Sequence, residues 1–144
     1  MIAYSSEEIN SLIGRFEKQS LPKSEWTHEA HLVVAIWYCW NHDDKAAMDL
    51  VRDLITRHNV SVGTVNSDTD GYHETITKFW LWVARQYLNT HRNDDVYAAT
   101  NSFISSEFSA SKFPLRYYSS GLLFSIKARH SWITPDLHPL TELI

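Results

Sequence analysis

Two histidines three residues apart, His28 and His31, open the most apolar stretch of the chain, which runs from Trp26 to Trp40. A third histidine, His73, lies on the apolar face of a later amphipathic segment. The partial positive charge of a helix N-terminus favours neutral imidazole, which is the form that binds a metal ion. Three imidazole nitrogens that leave positions open for water or substrate are typical of catalytic metal sites. The spacing therefore predicts a metal centre at His28, His31 and His73.

Asp70 and His58 extend this predicted ligand set, because either could supply a fourth ligand or accept a hydrogen bond from a ligating imidazole. Nitrogen-rich ligation favours a divalent transition metal such as Zn, Fe, Ni or Cu over Mg or Ca. The H-x-x-H spacing is weaker evidence than the H-E-x-x-H signature, which this chain lacks. The alternative for each histidine is a polar residue that closes the end of the core and bonds to a loop carbonyl.

Glu29 and Glu74 each follow a predicted ligand and are candidates for a catalytic general base. A helical wheel places both carboxylates off the buried stripe, which favours a solvated role for them. Arg116, Tyr117 and Tyr118 are candidates for the mouth of the site. There Tyr117 would take part in catalysis, and Arg116 and Tyr118 would orient an anionic or carbonyl-bearing substrate. A structural tyrosine pair that caps the core is the alternative.

Helical periodicity and capping residues predict the elements that would position these side chains. Ser5 to Glu8 has the form of a capping box, and it begins a first amphipathic helix that ends near Lys18. The remaining predicted elements, in chain order, are a helix within Trp26–Trp40 capped by Thr27 or Ser24, a third helix whose inward stripe ends at His58, a long connection over 59–69, a fourth helix with Asp70 as candidate N-cap, a fifth helix capped by Asn93, Asp94 and Asp95, a last helix from about Ser119 to His130, and an irregular tail over 134–144.

Short connections make successive helices antiparallel, so the second and fourth helices begin at the end of the molecule where the third helix finishes. This topology gathers the predicted ligands at one end, together with Arg116, Tyr117 and Tyr118 at the start of the last helix. It sends a second group to the opposite end: His91, Arg92, Arg129 and His130. The predicted fold is an all-α, up-and-down bundle of five or six helices in a single domain over 1–144.

The composition limits the class of protein. The 144 residues suit one domain, and a hydrophobic content of 44% with 4 glycines and 4 prolines favours helices over sheets. The single cysteine, Cys39, lies in an apolar run, which favours a buried thiol. A net charge of −4 with scattered Lys and Arg argues against nucleic-acid and membrane partners. The start of the chain does not resemble a signal peptide, and no apolar run reaches the ~20 residues of a membrane span, so we expect a cytoplasmic protein.

Several motifs carry a resemblance to a known family: W-T-H-E-A-H-L at 26–32, G-Y-H-E-T at 71–75, and Y-Y-S with the later A-R-H-S-W-I-T-P-D-L at 128–137. With these motifs the chain resembles an uncharacterised family of small bacterial helical proteins, over most of its length. That resemblance implies a shared helical fold. In plan, the chain is also similar to the DinB-like metalloenzymes, although their H-x-x-x-H ligand pair is absent here.

The sequence thus predicts a metal-dependent enzyme, a hydrolase or an oxygenase, that acts on a small molecule beside Tyr117 and Tyr118. Two alternatives come from other functional classes. The first is a metal-free module that binds an apolar small molecule between aromatic helices. The second is an interaction protein in which an outward Trp82 marks a homodimer or partner surface.

Overall fold

Seven α-helices and three short 3-10 helices make up the regular structure of residues 3–92 and 95–144, which are the residues that the computed structural model describes. No strand occurs in this part of the chain, so the predicted all-α class is confirmed. The α-helices are α1 (Ser6–Glu17), α2 (His28–Asn41), α3 (Asp44–Ser61), α4 (Glu74–Thr90), α5 (Val96–Ser105), α6 (Ser120–Leu123) and α7 (Ile126–His130), and the 3-10 helices are Lys23–Glu25, Glu107–Ser109 and Phe113–Arg116.

The helices begin at short polar side chains that accept hydrogen bonds from the first turn. Ser5 and Glu8 form the predicted capping box of α1, with bonds of 3.0 and 3.1 Å between each side chain and the other residue's backbone N–H. Thr27 caps α2 through a bond of 3.2 Å from the Ala30 N–H. Asp95 caps α5, whereas Asn93 and Asp94, which were predicted to share that cap, lie outside the described residues.

Helix α2 is the centre of the molecule, and it packs against α1, α3, α4 and α5. Its side chains are buried on nearly every side, with Val33 and Ile36 fully enclosed. This burial follows from the sequence, because a helix that is apolar all round is stable only inside a core. Cys39 is the predicted buried thiol, and its Sγ lies 3.4 Å from the Leu81 carbonyl oxygen.

Helices α2 and α4 run in the same direction and pack against each other, and α3 runs in the opposite direction against both. Near their N-termini, His31 lines the same cavity as Ile76 and Thr77. Near their C-termini, Arg85 donates to the Cys39 carbonyl oxygen over 2.7 Å. The predicted topology is therefore present, with the starts of α2 and α4 and the end of α3 at one end of the bundle. No helix in the described ranges combines the length and hydropathy that a bilayer crossing requires.

The predicted last helix is divided into α6 and α7, because the chain leaves helical geometry at Phe124 and Ser125. The Ser125 hydroxyl starts α7 by accepting from the Ala128 N–H over 3.1 Å. This break turns α7 back over the beginning of α4, where Arg129 donates to the Gly71 carbonyl oxygen over 2.9 Å. The prediction that Arg129 and His130 lie at the opposite end from His73 is therefore wrong.

Candidate functional site

The first turn of α2 holds two histidines whose ring protons are directed by backbone carbonyls. His28 Nε2 donates to the Ser109 carbonyl oxygen over 2.7 Å, and His31 Nδ1 donates to the Thr27 carbonyl oxygen over 2.7 Å. A carbonyl oxygen can only accept, so each of these nitrogens carries the ring proton. In its neutral form, His31 therefore presents an unprotonated Nε2.

His73 is the N-cap of α4, a position that the sequence had assigned to Asp70. Its Nδ1 accepts from the Ile76 N–H over 3.0 Å, and its Nε2 donates to the Leu123 carbonyl oxygen over 2.8 Å. The Asp70 side chain is exposed and accepts from the Thr69 hydroxyl instead. Because both ring nitrogens of His73 are already bonded, this imidazole has no lone pair left for a metal ion.

The predicted ligand set, His28, His31, His58, Asp70 and His73, is not arranged as a metal site. Within residues 3–92 and 95–144, no three His, Cys, Asp or Glu side chains are placed so that they could hold a metal ion. The residues present therefore do not fit the Zn, Fe or Ni centre that was expected. The alternative interpretation, a histidine bonded to a carbonyl at the end of the core, describes both His28 and His73.

A cleft of about 410 Å³ opens at the same end of the bundle. Its walls come from the start of α2, the end of α3, the start of α4 and the connection over 62–73. Indole, phenol and imidazole rings face it together with aliphatic side chains and a few polar groups. The lining residues are Lys23, Trp26, His31, Ile55, Asn59, Val62, Thr64, Gly71, Tyr72, His73, Ile76 and Thr77.

His31 is the histidine of the predicted set that both lines this cleft and keeps a ring nitrogen unbonded within the described residues. Its half-buried ring lies against the Trp26 indole, with 3.8 Å between the ring centroids. Its Nε2 has no hydrogen-bond partner in the described part of the chain. Burial lowers the pKa of His31 to about 4, against the opposing effect of the bond to Thr27, and nearby His28 and His58 lower it further. His31 is therefore neutral at pH 7 and acts as a hydrogen-bond acceptor.

His58 lies deeper, and its ring is completely buried. Neither of its nitrogens has a hydrogen-bond partner among the residues that the structure describes. The nearest rings are those of Trp26 and Phe16, with centroids 5.1 and 5.9 Å away. Burial lowers the pKa of His58, so the ring is neutral. An unpaired donor and an unpaired acceptor in such surroundings cost roughly 1–3 kcal/mol each.

Glu29 and Glu74, the candidate general bases, are bound to other side chains. Glu29 is exposed and accepts from the Tyr4 hydroxyl over 3.0 Å. Glu74 accepts two hydrogen bonds from Arg52, of 2.9 and 2.8 Å, and a third of 2.6 Å from the Tyr72 hydroxyl. Burial opposes ionisation of Glu74, but these bonds and the Arg52 charge lower its pKa overall. Glu74 thus ties α3 to the start of α4 and supports the Tyr72 side of the cleft.

Arg116, Tyr117 and Tyr118 do not line the cleft, so the prediction that they form its mouth is wrong. Both tyrosine rings are fully buried, and they pack against Phe79 at centroid distances of 5.3 and 6.0 Å. Their hydroxyls donate to carbonyl oxygens of the C-terminal tail, at Glu142 over 2.7 Å and at Ile133 over 2.6 Å. The alternative of a structural tyrosine pair is therefore what the structure contains. Arg116 lies over the Phe113 ring and bonds to the tail at the Ile144 carbonyl oxygen.

Several residues of the cleft had no assigned role in the sequence, notably Trp26, Asn59 and Tyr72. They come together because the connection over 62–73 folds back onto α3, where Asn59 Nδ2 donates to Asn66 Oδ1 over 2.9 Å. The same Asn66 oxygen accepts from the Tyr72 N–H over 3.0 Å. A sequence signal for Trp26 did exist, because it directly precedes the cap of α2.

No protein-family model, curated protein or solved structure gives a significant match to this chain. The resemblance to small bacterial helical proteins with W-T-H-x-x-H and G-Y-H-E-T motifs therefore stays a prediction. The cleft and its side chains are the features of this chain that bear on its function.

Proposed function

We propose that this protein binds a small planar molecule in the cleft and holds it by a hydrogen bond from a ligand N–H or O–H to His31 Nε2. The observation that carries the proposal is the free Nε2 of a neutral imidazole that lines the cleft and packs against Trp26. An unpaired acceptor at such a position is satisfied by a ligand that donates.

The size and lining of the cleft support this function. Its volume of about 410 Å³ lies within the range of roughly 300–1,000 Å³ that is typical of small-molecule sites. Trp26 and Tyr72 provide flat apolar surfaces, and Ile55 and Ile76 provide aliphatic ones. Small-molecule sites usually combine such walls with a few polar groups that fix orientation, which is the position that His31 and Asn59 hold here.

Binding is better supported than catalysis by this imidazole. A general base works best when its pKa lies near the working pH, whereas the pKa of His31 is about 4. At pH 7 such a ring accepts a hydrogen bond but removes protons poorly. Of the classes inferred from the sequence, the metal-free small-molecule module therefore agrees best with the geometry.

The matched probes indole and N-methylindole test the hydrogen bond directly, because only indole can donate to His31. We expect the wild-type protein to bind indole about 3- to 10-fold more tightly than N-methylindole, which is the effect of one net hydrogen bond. In a His31→Phe variant, which keeps a ring on Trp26, the two affinities should become equal. Ligand-observed and ¹⁵N-detected NMR titrations measure both.

His42→Phe is the matched control, since His42 also stacks on an aromatic ring, Tyr38, but lies at the other end of α2. This variant should keep the wild-type preference for indole. Equal binding of the two probes by wild-type protein, or an equal loss in both variants, would contradict the proposal.

Removal of metal separates this function from the metal-dependent enzyme. We expect EDTA, and likewise added Zn²⁺, Ni²⁺ or Fe²⁺, to leave the melting temperature and the affinity for indole unchanged. Elemental analysis of protein prepared without nickel resin is the second measurement. One equivalent of a transition metal that copurifies with wild-type protein, and is lost in His31→Phe, would overturn the metal-free function.

A further inference from the structure

His58 is a buried polar side chain whose bonding is incomplete. Its exposure is 0%, and neither ring nitrogen has a hydrogen-bond partner within the described chain. A neutral imidazole has one N–H donor and one acceptor nitrogen, so both capacities are unused. Buried polar groups are rarely left in this state, so the two unbonded nitrogens of His58 call for a partner.

The position of His58 connects it to the cleft. Ile55, three residues earlier, and Val62, four residues later, both line the cleft. Residues at these spacings share one face of a helix or of its last turn, so His58 belongs to the face of α3 that bounds the cleft. The Trp26 ring also lines the cleft, and its centroid lies 5.1 Å from that of His58 and 3.8 Å from that of His31.

Trp26 is placed so that its side chain can cover His58 on one side. It lies outside α2, between the 3-10 helix Lys23–Glu25 and the N-cap Thr27, and its ring is half-buried. One face stacks on Phe16 with 4.8 Å between centroids and an interplanar angle of 15°. A rotation of this side chain would break no helical hydrogen bond, and it would uncover the side of His58 that lies next to the indole.

We propose that the ligand of the cleft carries a second polar group, an uncharged hydroxyl or amide, that displaces the Trp26 ring and hydrogen-bonds to His58. This inference rests on the proposed function, in which His31 holds the first group. The surroundings of His58 select an uncharged partner, because Phe16 and Trp26 cannot compensate a charge. A site with a buried polar group rejects ligands that leave the group unpaired, so His58 determines specificity.

A ligand-binding role for His58 predicts an effect on stability that a purely structural role would not produce. An imidazole kept for a ligand is unsatisfied in the free protein, so its replacement by an apolar side chain of similar size removes a cost. We therefore expect His58→Leu or His58→Phe to melt at a higher temperature than wild type. Such gains in stability at the expense of binding are common at functional sites.

The test compares indole with the set of hydroxyindole isomers on wild-type, His58→Leu and His58→Phe proteins. We expect at least one hydroxyindole to bind wild type about 10-fold more tightly than indole does, the effect of one well-formed hydrogen bond. Both His58 variants should lose this preference while their affinity for indole stays within about 3-fold of wild type. In ¹⁵N spectra, the His58 ring nitrogens should show the shifts of a new hydrogen bond with the hydroxyindole but not with indole.

The outcomes separate the two proposals. Wild-type protein that binds indole but shows no preference for any hydroxyindole overturns the role of His58 and leaves the role of His31 intact. A preference that persists in both His58 variants, or lower melting temperatures for both, also overturns it. Wild-type protein that binds none of these probes overturns the proposed function and this inference together.

Discussion

Three histidines of this end of the bundle differ in how many of their ring nitrogens are bonded. His73 uses both nitrogens, His31 uses one, and His58 uses neither within the described chain. The number of free nitrogens therefore ranks them by what they can still bind. His73 is part of the scaffold, and His31 lines the cleft with one free nitrogen. His58 lies next to Trp26 with both nitrogens unbonded within the described chain.

The lowered pKa of His31 predicts a dependence of stability on pH. The unfolded chain binds a proton at His31 near pH 6.5, whereas the folded chain does so only near pH 4. The unfolded state therefore holds more protons between these values, and the free energy of unfolding should fall as the pH drops from 6.5 to 4. The full stabilisation is present above pH 6.5. Its size is at most ~3 kcal/mol, and water in the cleft reduces it.

Urea unfolding of wild-type and His31→Phe proteins across this pH range checks the prediction. The variant should show a shallower decrease, while the acid sensitivity that remains comes from groups such as His58 and His73, whose pKa values are also lowered by burial. Parallel curves for the two proteins would mean that His31 titrates in the folded state as it does in the unfolded one.

The sequence could predict which histidines meet but not what each one bonds to. Their positions near helix ends, together with short connections, were enough to place His28, His31, His58 and His73 at one end. The acceptors of His28 and His73 are carbonyl oxygens 81 and 50 residues further along the chain. Main-chain oxygens carry no residue-specific signal, so no pattern of residue types reveals that a lone pair or a ring proton is already engaged.

Among the elements, the connection over 62–73 contributes most to the shape of the cleft. Gly63 ends α3 with φ +79°, where the Thr64 N–H bonds back to the Asn59 carbonyl oxygen over 2.8 Å. Gly71 has φ +80°, and a Cβ there would lie 2.5 Å from both the Val65 carbonyl oxygen and Asn66 Oδ1. The connection thus closes on itself at Gly71, where a side chain has no room.

The two glycines provide a matched pair of substitutions. Gly63→Ala meets nothing within 4 Å, so it should cost only the left-handed backbone strain of about 1–2 kcal/mol. Gly71→Ala adds a clash with backbone, and we expect a further loss of at least ~1 kcal/mol in the free energy of unfolding. It should also weaken indole binding, because Gly71 and Tyr72 line the cleft. Urea unfolding and the same NMR titration measure these effects, and equal losses in the two variants would show that the connection is loosely packed at Gly71.

The helices were predictable from local patterns, whereas their interruptions were less so. Ser5, Thr27 and Asp95 cap helices as their residue types indicate. The break before α7 had one local signal, Ser125, which is a good N-cap but is also tolerated inside helices. The contacts of Arg129 with the connection over 62–73 favour the broken form, and these join segments 57 or 58 residues apart.

At the scale of the whole molecule, the C-terminal tail is fastened across the bundle. Thr75 in α4 donates to the Ser131 carbonyl oxygen over 2.9 Å and accepts from the Ile133 N–H over 3.2 Å. Tyr118 adds its bond to the Ile133 carbonyl oxygen, and Tyr117 bonds further along the tail. The buried tyrosines and Thr75 therefore bind an irregular segment to the bundle through hydrogen bonds to its backbone.

Tyr118→Phe should reduce the free energy of unfolding by about 1–2 kcal/mol, because it keeps the ring packing but leaves the Ile133 carbonyl oxygen without its donor. The tail should also become more accessible to limited proteolysis. Tyr97→Phe is the control, since Tyr97 donates to Asn10 at an exposed position and its loss should change stability by less than ~0.5 kcal/mol. Similar losses of stability in the two variants would argue against the fastening role of Tyr118.

The class and topology of the fold could thus be predicted from the sequence. The surface of the bundle against which the C-terminal tail packs could not. Period and capping fix helices locally, and the apolar run from Leu32 to Trp40 leaves α2 no place except the centre. Leu137 and Leu140 indicated only that the tail could dock. Trp82, interpreted as an outward partner surface, is half-buried, with its ring 5.6 Å from that of Tyr117. The C-terminal tail, which has no periodicity of its own, packs against one face of α4.

The buried thiol of Cys39 can report how often the core around it opens. The thiol is 2% exposed between α2 and α4, and burial raises its pKa to about 12. A thiol reagent can therefore react only while the packing around this thiol is open. Since the chain has one cysteine, the rate of labelling in native buffer measures how often the packing around Cys39 opens, on the time scale of local unfolding. A ligand that bridges α2, α3 and α4 at the other end of the bundle should lower the rate of Cys39 labelling, and the decrease should follow the occupancy of the cleft.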